Sequence, residues 1–150
     1  MPDKQQFLYR KPPTLNRRFP GGAMFDPEIL LVEDNSNCEE LALRALRKAG
    51  YSKVAVARDG VEAIGMLLGE KQDGVRYQEP NIVLLDMKLP KIDGVGVLQR
   101  IRNDERTKRL KVFALSSSED PKDLEECLNL GVLAVLPKPL NAETLKRWLQ

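Results

Sequence analysis

With 150 residues, 42% of them apolar and 31% charged, the chain has the size and composition of one globular domain with a single core. It contains no histidine, which excludes a His-based catalytic triad, a histidine-rich zinc site and a phosphohistidine relay inside the chain. The net charge of +2 is uneven: residues 1–27 hold five basic and two acidic residues, a surplus of +3 that leaves the remainder at −1.

Residues 1–27 also contain Pro2, Pro12, Pro13, Pro20, Gly21, Gly22 and Pro27, a density of helix and strand breakers that predicts a basic, irregular arm. Its charges are dispersed and lack interleaved aromatics, so it reads as a solvated tail rather than a nucleic-acid arm. Phe7-Leu8-Tyr9 runs at once into Arg10-Lys11-Pro12-Pro13, which is not a secretory core. No apolar run approaches the roughly 20 residues that cross a bilayer. A cytoplasmic protein is expected, with no membrane partner.

From residue 28 to 150 the pattern alternates between strand-like and helix-like segments. The first strand covers 28–33, and a helix over 36–49 follows, with Cys38, Leu41, Ala42, Ala45, Leu46 and Ala49 at helical spacing. Asp34 to Ser36 offer capping oxygens, and Gly50 ends the helix. The second strand is 54–57, and Asp59-Gly60 turns into a helix over 61–68. Residues 69–80 read as a long polar loop. The third strand, 82–85, delivers Asp86, and a helix over 94–103 turns Val95, Val97, Leu98 and Ile101 inward. The fourth strand is 112–115. The fourth helix opens at Asp120-Pro121, ends before Gly131 and carries a stripe of Leu124, Cys127 and Leu128. The fifth strand is 132–136, and the last helix follows Asn141 and buries Leu145, Trp148 and Leu149. Cys38 and Cys127 lack metal-ligand spacing and read as small buried hydrophobes.

Five βα units imply a flavodoxin-like α/β fold: a doubly wound, five-stranded parallel sheet of order 2-1-3-4-5 with helices on both faces. That order sets strands one and three side by side, so Glu33, Asp34 and Asp86 gather at the carboxyl ends of the strands, where ligands of such sheets bind. Three clustered carboxylates repel one another unless a cation intervenes, and an all-oxygen set suits Mg²⁺. A carboxylate beside such an ion can act as a nucleophile toward a phosphoryl group. Lys138 can neutralise one phosphoryl oxygen and the Ser116 hydroxyl can donate to another. A cis bond to Pro139 would aim the Lys138 ammonium at the site.

Leu30-Leu31-Val32-Glu33-Asp34-Asn35, Asp59-Gly60-Val61-Glu62-Ala63, Leu84-Leu85-Asp86-Met87-Lys88-Leu89-Pro90-Lys91-Ile92-Asp93-Gly94, Ala114-Leu115-Ser116-Ser117 and Lys138-Pro139 together resemble the receiver domain of two-component response regulators. The resemblance spans about 28–149, in the family's order. It implies that Asp86 is the phosphoacceptor, that Glu33 and Asp34 hold Mg²⁺ with Asp34 the more direct ligand, and that the Lys88 backbone carbonyl completes the metal shell. It implies that Ser116 is the switch hydroxyl, Ser117 the small residue leaving room for the phosphoryl group, and Lys138 the conserved-type lysine. Pro90 and Gly94 match the loop leading into the third helix. The implied partner is a sensor histidine kinase, and the domain would be a signalling module that catalyses its own phosphotransfer rather than an enzyme.

The sequence departs from the family at Val135, where Tyr or Phe is common, so the resemblance does not carry over a coupled hydroxyl–aromatic rotation, although Ser116 could still move. The long segments 69–80 and 104–111 resemble single-domain regulators paired with phytochrome-type kinases. Signalling would then pass through a conformational change or homodimerisation on the face of the fourth helix, fifth strand and fifth helix, with Leu133, Val135, Leu145 and Trp148 as candidates. Lys88 and Lys91 read as solvated. The alternatives are a constitutive interaction module of the same fold, and a flavodoxin-type FMN protein, against which Glu33-Asp34 would repel a phosphate lacking a metal.

Overall fold

The computed structural model describes residues 29–69, 80–117 and 121–149. The basic arm, most of the long loop at 69–80 and the Asp120 cap lie outside the described residues. The elements are β1 (Ile29–Val32), α1 (Ser36–Lys48), β2 (Val54–Ala57), α2 (Gly60–Leu68), β3 (Ile82–Asp86), α3 (Gly94–Arg102), β4 (Lys111–Ser116), α4 (Pro121–Asn129), β5 (Ala134–Pro137) and α5 (Ala142–Leu149).

The sheet is parallel throughout, in the order β2-β1-β3-β4-β5. Val32 pairs with Leu85, and Asp86 pairs with Leu115. Glu33, Asp86 and Ser116 therefore leave the sheet at the same edge. The predicted topology holds.

Alternating side chains send the central strands into two separate cores. Ile29, Leu31, Leu84, Phe113 and Leu115 face α1 and α5. Leu30, Val32, Val83, Leu85, Val112 and Ala114 face α2, α3 and Cys127 of α4. The strands read as unbroken apolar runs because both faces are covered.

Helix starts are fixed by side-chain caps, which satisfy amide groups that would otherwise lack partners. Asn35 Oδ1 accepts from the Cys38 amide at 2.9 Å, and Asp93 Oδ1 from Gly96 at 2.9 Å. Asn141 Oδ1 accepts from Thr144 at 2.8 Å. Asp59 Oδ1 accepts from Glu62 at 2.7 Å, while Glu62 Oε1 reaches back to the Arg58 amide at 2.8 Å.

Three residues placed on buried helix faces are instead exposed: Leu41 (47%), Leu128 (54%) and Trp148 (44%). Each lies at the margin of its helix's apolar stripe, where periodicity does not tell core from rim. Trp148 still touches the core, its ring edge-on to buried Phe113 at 6.4 Å. Of the cysteines, Cys127 is buried and Cys38 half-buried. The fifth strand starts two residues later than the apolar run suggests. The α4 terminus holds Val132 through its amide bond to the Cys127 carbonyl at 3.3 Å, after Gly131 turns at φ +82°.

Candidate functional site

Glu33 follows β1 directly, its amide bonded to the Ala57 carbonyl at 3.0 Å. It is almost wholly buried, whereas Asp34 beside it is exposed. Asp86 ends β3 and is 3% exposed. Lys138 follows β5 and forms a cis bond with Pro139, as expected. Its amide bonds the Ser116 carbonyl at 3.2 Å, which ties the ends of β4 and β5 together.

The Lys138 ammonium bridges two acids, lying 3.1 Å from Glu33 Oε1 and 3.0 Å from Asp86 Oδ2. The second oxygen of each acid meets a backbone donor. The Asn35 amide donates to Glu33 Oε2 at 3.3 Å, and the Lys88 amide to Asp86 Oδ1 at 3.1 Å. Carboxylate oxygens of Glu33, Asp34 and Asp86 all lie within 4.8 Å of one another.

Three formal negative charges thus face one ammonium. Burial, reinforced by the neighbouring Asp86, raises the Glu33 pKa from its ordinary 4.5 to about 7. Burial opposes the charge on Lys138, but Asp86 and Glu33 outweigh it and raise the lysine above its ordinary 10.5. A cluster that stays under-neutralised with its lysine in place, and offers only oxygen donors, fits a hard divalent cation.

The structure brings Glu33, Asp34, Asp86 and Lys138 into one cluster. Ser116 ends β4 half-buried, one residue beyond the pairing partner of Asp86. Ser117 and Lys88 are exposed beside the site. Val135, half-buried, pairs with Ala114 across β4 and β5. Gly94 packs against the loop leaving Asp86, where a Cβ would come 2.6 Å from the Met87 Cα.

Two features escaped the sequence reading. Lys91, read there as solvated, is exposed but bonds Asp59 Oδ2 at 3.2 Å from a left-handed backbone, φ +70°. Arg58 makes a two-pronged contact with Glu39 at 3.1 and 3.0 Å, joining the β2–α2 turn to α1. The Asp59-Gly60 turn signal marks the place of the first but not its partner.

A family profile described as the response regulator receiver domain matches residues 29–150. The chain belongs to the response regulator receiver family. Among its relatives, the probable methanogenesis regulatory protein FilR2 of Methanothrix harundinacea is 37% identical over 81% of this chain and 78% of FilR2. The solved structure of the bacteriophytochrome response regulator AtBRR is 39% identical, with a TM-score of 0.70 over 79% of this chain and 86% of AtBRR. The Mn²⁺-bound form of response regulator Rcp1, a Synechocystis protein, is 29% identical with a TM-score of 0.67, over 83% of this chain and 90% of that one. Receivers are two-component signalling modules that work with sensor histidine kinases, not free-standing enzymes. No helix among the described residues is long and apolar enough to cross a membrane.

Proposed function

We propose that residues 28–150 form a receiver that accepts a phosphoryl group on Asp86 from a partner histidine kinase in a Mg²⁺-dependent reaction, with 1–27 as a flanking arm. The carrying observation is the Lys138 ammonium shared by Glu33 and Asp86, with Asp34 in the same cluster. A constitutive interaction module would have no need to bury two carboxylates around one ammonium, given the several kcal/mol that burying an ion typically costs.

Glu33, Asp34 and Asp86, with the Lys88 carbonyl, would hold Mg²⁺. Bound there, it supplies charge neutralisation for the oxygens of the incoming phosphoryl group. An Asp86 carboxylate oxygen attacks phosphorus. The new O–P bond forms as the N–P bond to the kinase histidine breaks, and the imidazole nitrogen leaves with the bonding pair. Lys138 moves its attraction from the Asp86 carboxylate to a phosphoryl oxygen, and Ser116 donates its hydroxyl to another. The dephosphorylation step is the attack of water on the same phosphorus, releasing inorganic phosphate and restoring the carboxylate.

The kinase we infer is phytochrome-type, supported by the likeness to AtBRR over most of both chains. We read it as a cytoplasmic receiver. The output face we infer is α4–β5–α5, as a homodimer contact or a docking surface. There Leu128, Leu133 and Trp148 are exposed, whereas Leu145 is buried and serves the core.

Incubation with a small phosphodonor and Mg²⁺, followed by intact mass measurement, tests the reading. One added phosphoryl group that is absent in Asp86→Asn supports it. An unmodified wild type, with both small donor and kinase, overturns it in favour of the constitutive module. Light scattering with and without a phosphoryl analogue tests the dimer, and an unchanging monomer counts against it.

A further inference from the structure

The end of the sheet opposite Asp86 is built around one guanidinium. Arg102, the last residue of α3, donates Nε–H to the Leu130 carbonyl at 2.8 Å. Its Nη1 donates to the carbonyls of Lys108 and Leu110 at 2.9 and 2.7 Å, and its Nη2 to Gly131 at 2.9 Å. Four of the five N–H donors are thus used to lock the α3–β4 and α4–β5 connections together. No carboxylate pairs with Arg102 among the described residues, so its charge is met only by carbonyl dipoles. Gly131 is required there, since a Cβ would stand 3.3 Å from Arg102 Nε at φ +82°.

Beside this clamp lies a cleft of about 500 Å³ to which Arg102, Lys108, Arg109 and Lys111 all contribute. Among the described residues no acidic side chain lines it. Lys108 is paired with Glu105 at 2.9 Å, whereas Arg109 and Lys111 are exposed and make no ion pair among the described residues. The half-buried Leu110 and Leu130 supply apolar surface between the charges.

We propose that this cleft docks an acidic peptide segment of a partner protein, its carboxylates on Arg109 and Lys111 and an aliphatic side chain over Leu110 and Leu130. Charge complementarity selects the partner's sign. The chain's own basic arm, at +3, is repelled from it. A nucleic acid is the poorer fit, because no aromatic side chain among the described residues lines the cleft to stack on a base. Lys111 begins β4 and Ser116 ends it, so the cleft sits about 17 Å from the phosphoacceptor edge and need not compete with a kinase there.

The test is fluorescence anisotropy of a fluorescein-labelled peptide of repeated Glu-Glu-Leu, titrated with the full chain at low and moderate salt. The controls are a Gln-Gln-Leu peptide and a single-stranded oligonucleotide of similar length. Saturable, salt-sensitive binding of the acidic peptide is expected, weakened about tenfold or more in the double variant Arg109→Glu, Lys111→Glu. Far-UV circular dichroism and phosphoryl uptake at Asp86 should be unchanged in that variant. The proposal is overturned if the wild type does not bind the acidic peptide, if the variant binds equally well, or if the glutamine peptide or oligonucleotide binds as tightly.

Discussion

The Lys91 ammonium lies 3.2 Å from Asp59 Oδ2 and so fastens the loop after β3 to the start of α2. The amide of Glu62 does most to hold the Asp59 carboxyl below its ordinary 3.8; burial opposes it, and Lys91 adds to the lowering. A carboxyl depressed in the folded state adds stability above its unfolded pKa, and that stability is lost as pH falls through the folded value. Asp59→Asn keeps a capping side chain but loses the charge. Its urea midpoint should lie below wild type at neutral pH, and the gap should close as the pH drops below 3.8. A constant gap across that range would show that the charge does not matter.

Two glycines of α2 make an internal comparison. A Cβ at Gly60 would collide with the Ile92 carbonyl oxygen and stand 2.8 Å from the Ile92 Cβ, whereas one at Gly65 meets nothing within 4 Å. Gly60→Ala should destabilise by about 1–3 kcal/mol, because backbone must move. Gly65→Ala should stabilise by about 0.5–1 kcal/mol, as expected for removing glycine from a helix interior. Chemical denaturation reads both, and equal midpoints would contradict the packing.

Lys138→Ala should slow phosphoryl uptake at Asp86 by about 100-fold, the scale set by loss of one preorganised donor to a developing charge. Mg²⁺ affinity should be retained or rise, since the competing ammonium is gone from between Glu33 and Asp86. Timed intact-mass measurements and calorimetric Mg²⁺ titration separate the two effects. Joint loss of uptake and metal binding would mean that the lysine chiefly holds the site's shape.

Arg102→Lys retains the charge but not the planar fork that reaches four carbonyls. A loss of about 2–4 kcal/mol in urea unfolding is expected, given the usual worth of hydrogen bonds to charged groups. Phosphoryl uptake should persist under conditions where the variant is folded. A change below about 0.5 kcal/mol would be in the range of an ordinary surface substitution.

The sheet order was legible because each central strand is apolar on both faces and each is followed by a helix-period segment. The clustering of Glu33 with Asp86 follows from that order alone, since strands β1 and β3 are neighbours. What escaped depends on tertiary packing, helix-terminus geometry or distant partners. Leu41, Leu128 and Trp148 have helical spacing but remain exposed among the described residues. Val132 is strand-like by propensity, yet the α4 terminus captures its amide. Lys91 and Arg102 find partners 32 and 28 residues away, a relation that no local pattern encodes.

The separation of the apolar interior into two cores has a consequence for how the chain tolerates change. Leu46 and Leu145 belong to one layer, Leu98 and Cys127 to the other, with the sheet between them. Substitutions in different layers share no partners and should sum independently, while those within a layer should interfere. The α1–α5 layer and the α2–α3–α4 layer can therefore drift, or be redesigned, as two nearly autonomous halves, provided that the strands between them keep Asp86 at their common edge.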